Sequence, residues 1–389
     1  MITILYLSGT IIYIALVTLG CWGLFRLNEK PHSTVRPVVT VIVAARDEAP
    51  YIQSCLDSLL NQTYPKELYE IIVVDDHSTD GTAAIARRCG RRFPNLRVVA
   101  LASPGKSSPK KAAIEMGVTL GRGDIILTTD ADCQVPSKWI EVMVRHFDER
   151  TAAVASWIDI KTSSTLLSKL ESLDVFSLSL IGATAIGLGR PVLANGANFA
   201  YRRDIFKALR GFAGTDDYGS GDDDLFLQKI GKKSGKKVTF AFAQHAGVKT
   251  DANETLKSFL SQRFRWASKA AVYPVPFILL EIVLYVIIFS LVPGIPILLL
   301  CQKSVIPPFF FLLVKLFADF LYLRLGYSKI GRKLNPLYFI LAEFFQMSYI
   351  LIVGIGGLFG SYTWKGRRYF HGKLVPTTEL EPCILEESF

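Results

Sequence analysis

Four long apolar runs, almost free of charge, bracket one charged, glycine-punctuated stretch, and this arrangement limits what the chain can become. Residues 1–25 contain no charged side chain, and 274–300, 305–325 and 336–360 are apolar over similar lengths. A hydrocarbon core of about 30 Å is crossed by roughly 20 helical residues, so each run is long enough to span. Residues 1–25 lack an early Lys or Arg and a small-residue cleavage site, which predicts a retained anchor rather than a removed signal. Pro293, Gly294 and Pro296 mark the second run as the one expected to be irregular.

The 389 residues are 50% hydrophobic and 20% charged, against roughly 25% charged in an average soluble domain, which excludes a disordered or simply soluble chain. The net charge of +10 suits either nucleic acid or anionic lipid. The basic run from Lys229 to Lys237 has no interleaved aromatics, so no nucleic-acid partner is expected and membrane lipid is. Arg26, Lys30 and Arg36 follow the first run and predict a cytoplasmic middle domain by the positive-inside rule. Lys329, Arg332 and Lys333 place a later loop on that side too, yet four crossings would put Lys365, Arg367 and Arg368 on the other. Six scattered cysteines without a C-x-x-C pair read as reduced, mostly buried thiols.

Between about 36 and 270, short β-branched runs alternate with helical ones, the pattern of an α/β domain. Val38–Ala44 reads as a buried parallel strand running into Arg46-Asp47-Glu48, and Ile71–Val74 as a second running into Asp75-Asp76-His77. A third, Asp124–Leu127, leads to Asp130-Ala131-Asp132. Two carboxylates one residue apart at a strand end can hold a hard divalent cation, although the spacing alone fits a solvated turn better. The β-α-β order gathers these loops at the carboxyl ends of the strands, where open sheets bind ligands. No G-x-G-x-x-G follows the first strand, so a classical dinucleotide site is not expected. His77 and His245 lack ligand spacing and read as structural. Leu166–Gly187 is interrupted by Lys169, Glu171 and Asp174 and reads as an amphipathic interfacial or core helix, too polar to span. Within the runs, Glu281, Lys315, Asp319 and Glu343 are expensive in lipid and are expected to face inward, where Lys315 and Asp319, four apart, can pair.

Arg46-Asp47-Glu48, Asn61-Gln62-Thr63-Tyr64-Pro65, the stretch from Val73 to Thr82, Asp130-Ala131-Asp132, Gly221-Asp222-Asp223-Asp224-Leu225 and Gln262-Arg263-Phe264-Arg265-Trp266 occur in an order that resembles the membrane-bound inverting glycosyltransferases of family 2. These include hyaluronan, chitin-oligosaccharide and cellulose synthases and ceramide glucosyltransferases. The resemblance covers about 37–269. Asp47 stands where many members have Asn, and the acidic motif lacks its frequent leading Glu.

The resemblance implies a GT-A type α/β fold with a mixed, mostly parallel sheet, helices on both faces and transmembrane helices at both ends. The domains would be an anchor (1–25), a cytoplasmic domain with interfacial helices (36–270), a bundle of about three helices (274–360) and a tail (361–389) ending in acidic residues. It further implies transfer of a hexose from a UDP-sugar to a lipid or glycan hydroxyl by a single inverting displacement assisted by Mg2+ or Mn2+. Asp223 is the best match to the general base, with Asp222 and Asp224 as alternatives, and a base there is expected to have a raised pKa. Asp132, with Asp130, would hold the metal. Ala44, Glu48, Asp75, Asp76, Lys110, Lys111, Asp130, Gln262, Arg263 and Arg265 would face the donor, and Asn195, Asn198 and Trp266 the acceptor. A processive polysaccharide synthase and a catalytically silent membrane subunit are the alternatives; the crowded carboxylates argue against the silent one.

Overall fold

The computed structural model describes residues 2–27, 33–102, 108–269, 272–359, 361–370 and 372–375. The strands of the middle domain are β1 (Val39–Ala45), β2 (Tyr69–Asp75), β3 (Leu96–Ala100), β4 (Ile125–Asp130), β5 (Thr151–Ser156), β6 (Ile158–Lys161), β7 (Phe199–Arg202), β8 (Lys237–Ala241) and β9 (Val248–Asp251). Seven of them form one sheet in the order β3-β2-β1-β4-β7-β5-β8, while β6 and β9 pair separately. β1 to β4 are parallel neighbours and β7 runs against both β4 and β5. Alternation explains the continuous apolar runs. Val39, Val41 and Val43 bury against Leu56, Leu59 and Trp139 on one face. Ile42 and Ile126 bury against Ile114 and Val118 on the other. Both faces are covered, as the sequence pattern requires.

The helices are α1 (Ile2–Arg26), α2 (Ile52–Leu60), α3 (Thr82–Gly90), α4 (Pro109–Leu120), α5 (Trp139–Val144), α6 (Leu166–Gly187), α7 (Arg203–Ala208), α8 (Asp224–Lys233) and α9 (Leu256–Ala267), followed by α10 (Val275–Leu291), α11 (Gly294–Leu300), α12 (Ile306–Lys329) and α13 (Pro336–Phe359). The break between α10 and α11 falls at Val292-Pro293, where the sequence anticipates irregularity. By length and composition, α1, α6, α10 with α11, α12 and α13 are each long and apolar enough to cross a membrane. That includes α6, expected to be too polar. Its charges point inward: Glu171 accepts from the amide and side chain of Asn253, and Asp174 pairs with Arg263 of α9. The polar face of α6 therefore meets protein rather than water.

The course of α13 resolves the conflict over the basic tail. Near its start, Arg332 grips Asp159 at 2.7 and 2.9 Å and Tyr338 accepts from Lys169 at 2.9 Å. Midway, Tyr349 and Gln346 donate to Asp174. The helix lies along α6 and α9, and the chain beyond it folds back onto the α/β domain as β10 (Ser361–Trp364), β11 (Arg367–Phe370) and β12 (Lys373–Leu374). Lys365, Arg367 and Arg368 thus sit on the domain side. Residues 361–370 and 372–375 are a docked sheet rather than a tail; the acidic residues from 379 onward, like Lys30, lie outside the described residues. Among the five described cysteines, all free, Cys55, Cys89 and Cys133 are buried, Cys21 is half-buried and Cys301 is exposed.

Candidate active site

The parallel register brings the acidic loops together. Ala44 aligns with Asp130 on one side and Val74 on the other, and Ala45 aligns with Asp75. Neighbouring strands lie about 4.8 Å apart, so the ends of β1, β2 and β4 present Glu48, Asp76, Asp130 and Asp132 to one cavity of ≈ 1350 Å³. Asp130 is the last residue of β4 itself, three residues beyond the strand end read from the sequence. Asp47 lies at φ +51°, in the left-handed region that Asn and Asp tolerate best.

Asp130, Asp132 and Cys133 place their ligating atoms within 4.8 Å of one another. The Asp132 carboxylate has one hydrogen-bond partner among the described residues, the Cys133 thiol at 3.3 Å. Burial first, and then the neighbouring Asp130 charge, push its pKa up. A divalent cation relieves that repulsion, and carboxylate oxygens are the ligands a hard cation takes. The residues present fit such an ion.

Lys110 and Lys111 part company. Lys110 ion-pairs with Asp130 at 2.8 Å and Asp222 at 3.3 Å and lines the cavity. Lys111 is fully buried outside it, donating to the Thr215 carbonyl at 2.5 Å, and burial lowers its pKa to about 8. That excludes Lys111 from donor contact. Asp75 is likewise buried behind the wall, with Oδ1 lacking a partner, whereas Asp76 lines the cavity.

The acidic triplet is fixed to the loop before β7. Asp223 caps α8, accepting from the Asp224 amide at 2.7 Å and from the Gly196 amide at 2.8 Å, with Lys269 at 3.5 Å. Burial alone would raise its pKa, but Lys269, Lys110 and the two amides outweigh it and hold the carboxyl at about 2. The rise expected of a base at Asp223 is therefore absent. Asp224 accepts from the Ala194 amide at 2.8 Å, Tyr273 at 2.6 Å and Lys269 at 2.5 Å, and burial lifts it to about 6. Asp222 has a single ion-pair partner, Lys110, and burial raises its pKa. Gly196 keeps this corner open: a Cβ there would sit 2.7 Å from Asp222 Oδ2.

Two further assignments change. Asn198 is fully buried and satisfied, accepting from the Trp139 indole at 2.9 Å and donating to the carbonyls of Trp157 and Ala246 at 2.7 Å, so it braces β7 instead of meeting an acceptor. Asn195 lines the cavity nearby and caps its own turn through the Ala197 amide. Arg263 is 3% exposed, bonded twice to Asp174 and once to Gln262, and sandwiched between Phe259 and Trp266 at 4.3 Å from each ring centre. It clamps α6 to α9 through three of its five N–H groups and, although it lines the cavity, its charge is matched by Asp174 and it does not present an uncompensated cation to a diphosphate. Arg265 does: it lines the cavity with its guanidinium 5.0 Å from the Trp364 ring and no carboxylate partner among the described residues. Gln262 and Trp266 also line it.

The sequence reading missed the hairpin that closes the donor end. Arg367 grips both oxygens of Asp76 at 2.5 and 3.1 Å, and Lys365 pairs with Glu48 at 2.7 Å. Burial still carries Glu48 to about 7, against the pull of Lys365. The signal was present: Lys365-Gly366, both at positive φ, join two short aromatic-alternating runs, the mark of a tight hairpin. Gly219 lets the hairpin seat, since a Cβ there would meet the Tyr369 ring at 2.2 Å. Lys269, one turn past Trp266, and Tyr273 were missed as well.

Comparison with known proteins follows the same lines. The glycosyl transferase family 2 model matches residues 40–210. The chain is 27% identical over 236 residues to the probable glycosyltransferase YdaM of Bacillus subtilis, covering 59% of this chain and 54% of that one. It is 34% identical over 115 residues to the β-monoglucosyldiacylglycerol synthase of Synechocystis, covering 30% and 24%. The match to YdaM thus spans about half of that relative's length. Among solved structures, the mannosyltransferase PcManGT of Pyrobaculum calidifontis, in complex with GDP-Man and Mn2+, superposes with a TM-score of 0.58 at 20% identity, over 90% of this chain and 99% of that one. That likeness bears out the GT-A fold. The chain therefore carries a glycosyl transferase family 2 domain at 40–210, and the acidic triplet, α9 and the C-terminal hairpin line the same cavity as its strand ends.

Proposed function

We propose that this protein transfers a sugar from a nucleoside diphosphate sugar, of the UDP class, to a hydroxyl of a lipid acceptor, with inversion. One observation carries the reading. The cavity that holds Asp130, Asp132 and Asp222 continues without a break between α1, α6, α10, α12 and α13, where Leu284, Ile288 and Ile350 line it. Its ≈ 1350 Å³ exceeds the roughly 300–1,000 Å³ of a single-ligand pocket, and its far half sets the apolar Leu284, Ile288 and Ile350, against which a lipid chain would lie, beside the polar Glu281, Lys315, Asp319 and Glu343. The Synechocystis relative is named for a glycolipid product.

Asp130 and Asp132 would hold Mg2+ or Mn2+, which when bound neutralises the departing diphosphate. Arg265, with Lys365 and Arg367 of the hairpin, supplies cations at the donor end, and Asp76 and Glu48 supply acceptors for the nucleoside. Lys110 ties the donor carboxylate Asp130 to Asp222 and so fixes the distance between the two halves of the reaction. Asp222 is the base: of the triplet, it alone faces the cavity without a backbone or hydroxyl donor on its carboxylate among the described residues. It takes the acceptor proton as the acceptor oxygen attacks the anomeric carbon from the side opposite the diphosphate. Asp223 and Asp224 hold the loop and Lys269 in place. The domain and hairpin share one face of the membrane helices, which the basic residues Arg26 and Arg36 assign to the cytoplasm.

The test is purified protein with Mn2+, a panel of UDP-sugars and total membrane lipid. Release of UDP that depends on one sugar and on lipid is expected. Release that is indifferent to lipid but rises with a soluble glycan would overturn the acceptor assignment.

A further inference from the structure

The acceptor side of the cavity has a charge balance of its own. Among the described residues lining it at the level of α10, α12 and α13, Lys315 is the one cation against three carboxylates, Glu281, Asp319 and Glu343, of which it touches the last two. Lys315 donates to Asp319 Oδ2 at 2.8 Å and to Glu343 Oε2 at 2.5 Å, and Tyr13 donates to Asp319 Oδ1 at 2.6 Å. The ammonium is thus spent on two carboxylates. Glu281 has no hydrogen-bond or ion-pair partner among the described residues and stands one turn beyond Phe277, whose ring packs on Tyr273 at the acidic triplet. Nearer the reaction, Lys110 and Lys269 are each held between two carboxylates, and Arg263 is matched by Asp174. The cavity cations without a full match stand at the donor mouth.

A lipid phosphate entering this half would bring negative charge into a poorly solvated, already acidic space and find no free cation. A hydroxylated, uncharged head group would find what is there: carboxylate oxygens that accept from hydroxyls, with apolar wall beyond for the chain. We propose that the acceptor half of the cavity selects an uncharged, hydroxyl-bearing lipid and excludes phosphorylated lipids. The inference rests on the lipid-acceptor reading above and specifies it.

The test splits a membrane lipid extract on an anion-exchange column into uncharged and anionic pools and supplies each, in detergent micelles, to the full-length protein with labelled donor. Label should enter lipid from the uncharged pool at least about tenfold faster. The Glu281→Gln/Glu343→Gln variant should narrow that preference about tenfold by admitting anionic lipid. Glu281→Gln alone, which breaks no contact, should move it the same way if the double variant does not fold. Faster labelling from the anionic pool would overturn the charge inference and leave the lipid reading standing. Labelling from neither pool, with the donor spent on soluble glycan, would remove the lipid reading and this inference with it. An unchanged preference in both variants would deny these carboxylates the role.

Discussion

Replacing Asp222 by Asn tests the division of labour inside the acidic triplet. Loss of a positioned base costs roughly 10²–10⁴ in rate, about 3–5 kcal/mol in the barrier. Donor affinity should barely move, because Lys110 keeps its 2.8 Å pair with Asp130. Stability should hold as well. A buried carboxyl with a raised pKa disfavours its charged form in the folded state, so removing the charge is neutral or mildly stabilising near pH 7 and the native state gains as pH falls through that pKa. Asp223→Asn should behave differently. Its two oxygens cap the Asp224 and Gly196 amides at 2.7 and 2.8 Å, and disturbing them costs about 1–2 kcal/mol while shifting the loop that shapes the site. The assay is lipid glycosylation and UDP release against pH, with thermal midpoints for each variant. Wild-type turnover should fall on acidification through the raised pKa of Asp222. A base at Asp223, held at about 2, would leave the profile flat until the fold fails. A flat profile, with Asp222→Asn active and a folded Asp223→Asn dead, would refute the assignment.

Arg263→Met should lower stability by about 3–5 kcal/mol by stranding buried Asp174, and adding Asp174→Leu should recover most of it; a weaker donor KM with an unchanged thermal midpoint would instead return Arg263 to the diphosphate. Gly219→Ala should displace Tyr369 and the hairpin and raise the donor KM about tenfold, as should Arg367→Gln by freeing Asp76; normal donor kinetics in both would remove the hairpin from the donor site. Chelation should stop turnover reversibly, and Asp132→Asn should need at least about tenfold more Mn2+ for half-maximal rate; full activity in chelator would dismiss the metal.

The parallel core of the sheet was legible because β1, β2 and β4 are buried on both faces and so read as largely apolar runs leading into Asp. What the sequence could not show was direction within a motif. Lys110 and Lys111 are adjacent on α4, about 100° apart around its axis, and tertiary packing turned one to the cavity and the other to Thr215. Arg263 and Arg265 lie about 200° apart on α9. One was claimed by Asp174, whose role depends on α6 docking 89 positions away. In the acidic triplet the backbone amides of 194 and 196 chose which carboxylates became structural, and no local pattern records that choice. The hairpin was hidden by the hydropathy argument itself. Counting four crossings left the side of the chain after residue 360 open, and only the pairing of Lys365 with Glu48 and Arg367 with Asp76 sets it against the domain.

The central claim is that one cavity carries the acceptor from the membrane helices to Asp222, and a plug in it is the most direct measurement. Leu284→Trp fills the part of the cavity between the membrane helices, on α10. With labelled donor, Mn2+ and membrane lipid, the account predicts that this variant loses lipid glycosylation while retaining donor binding and slow, metal-dependent UDP release to water. Undiminished glycolipid formation in a folded Leu284→Trp protein would contradict it.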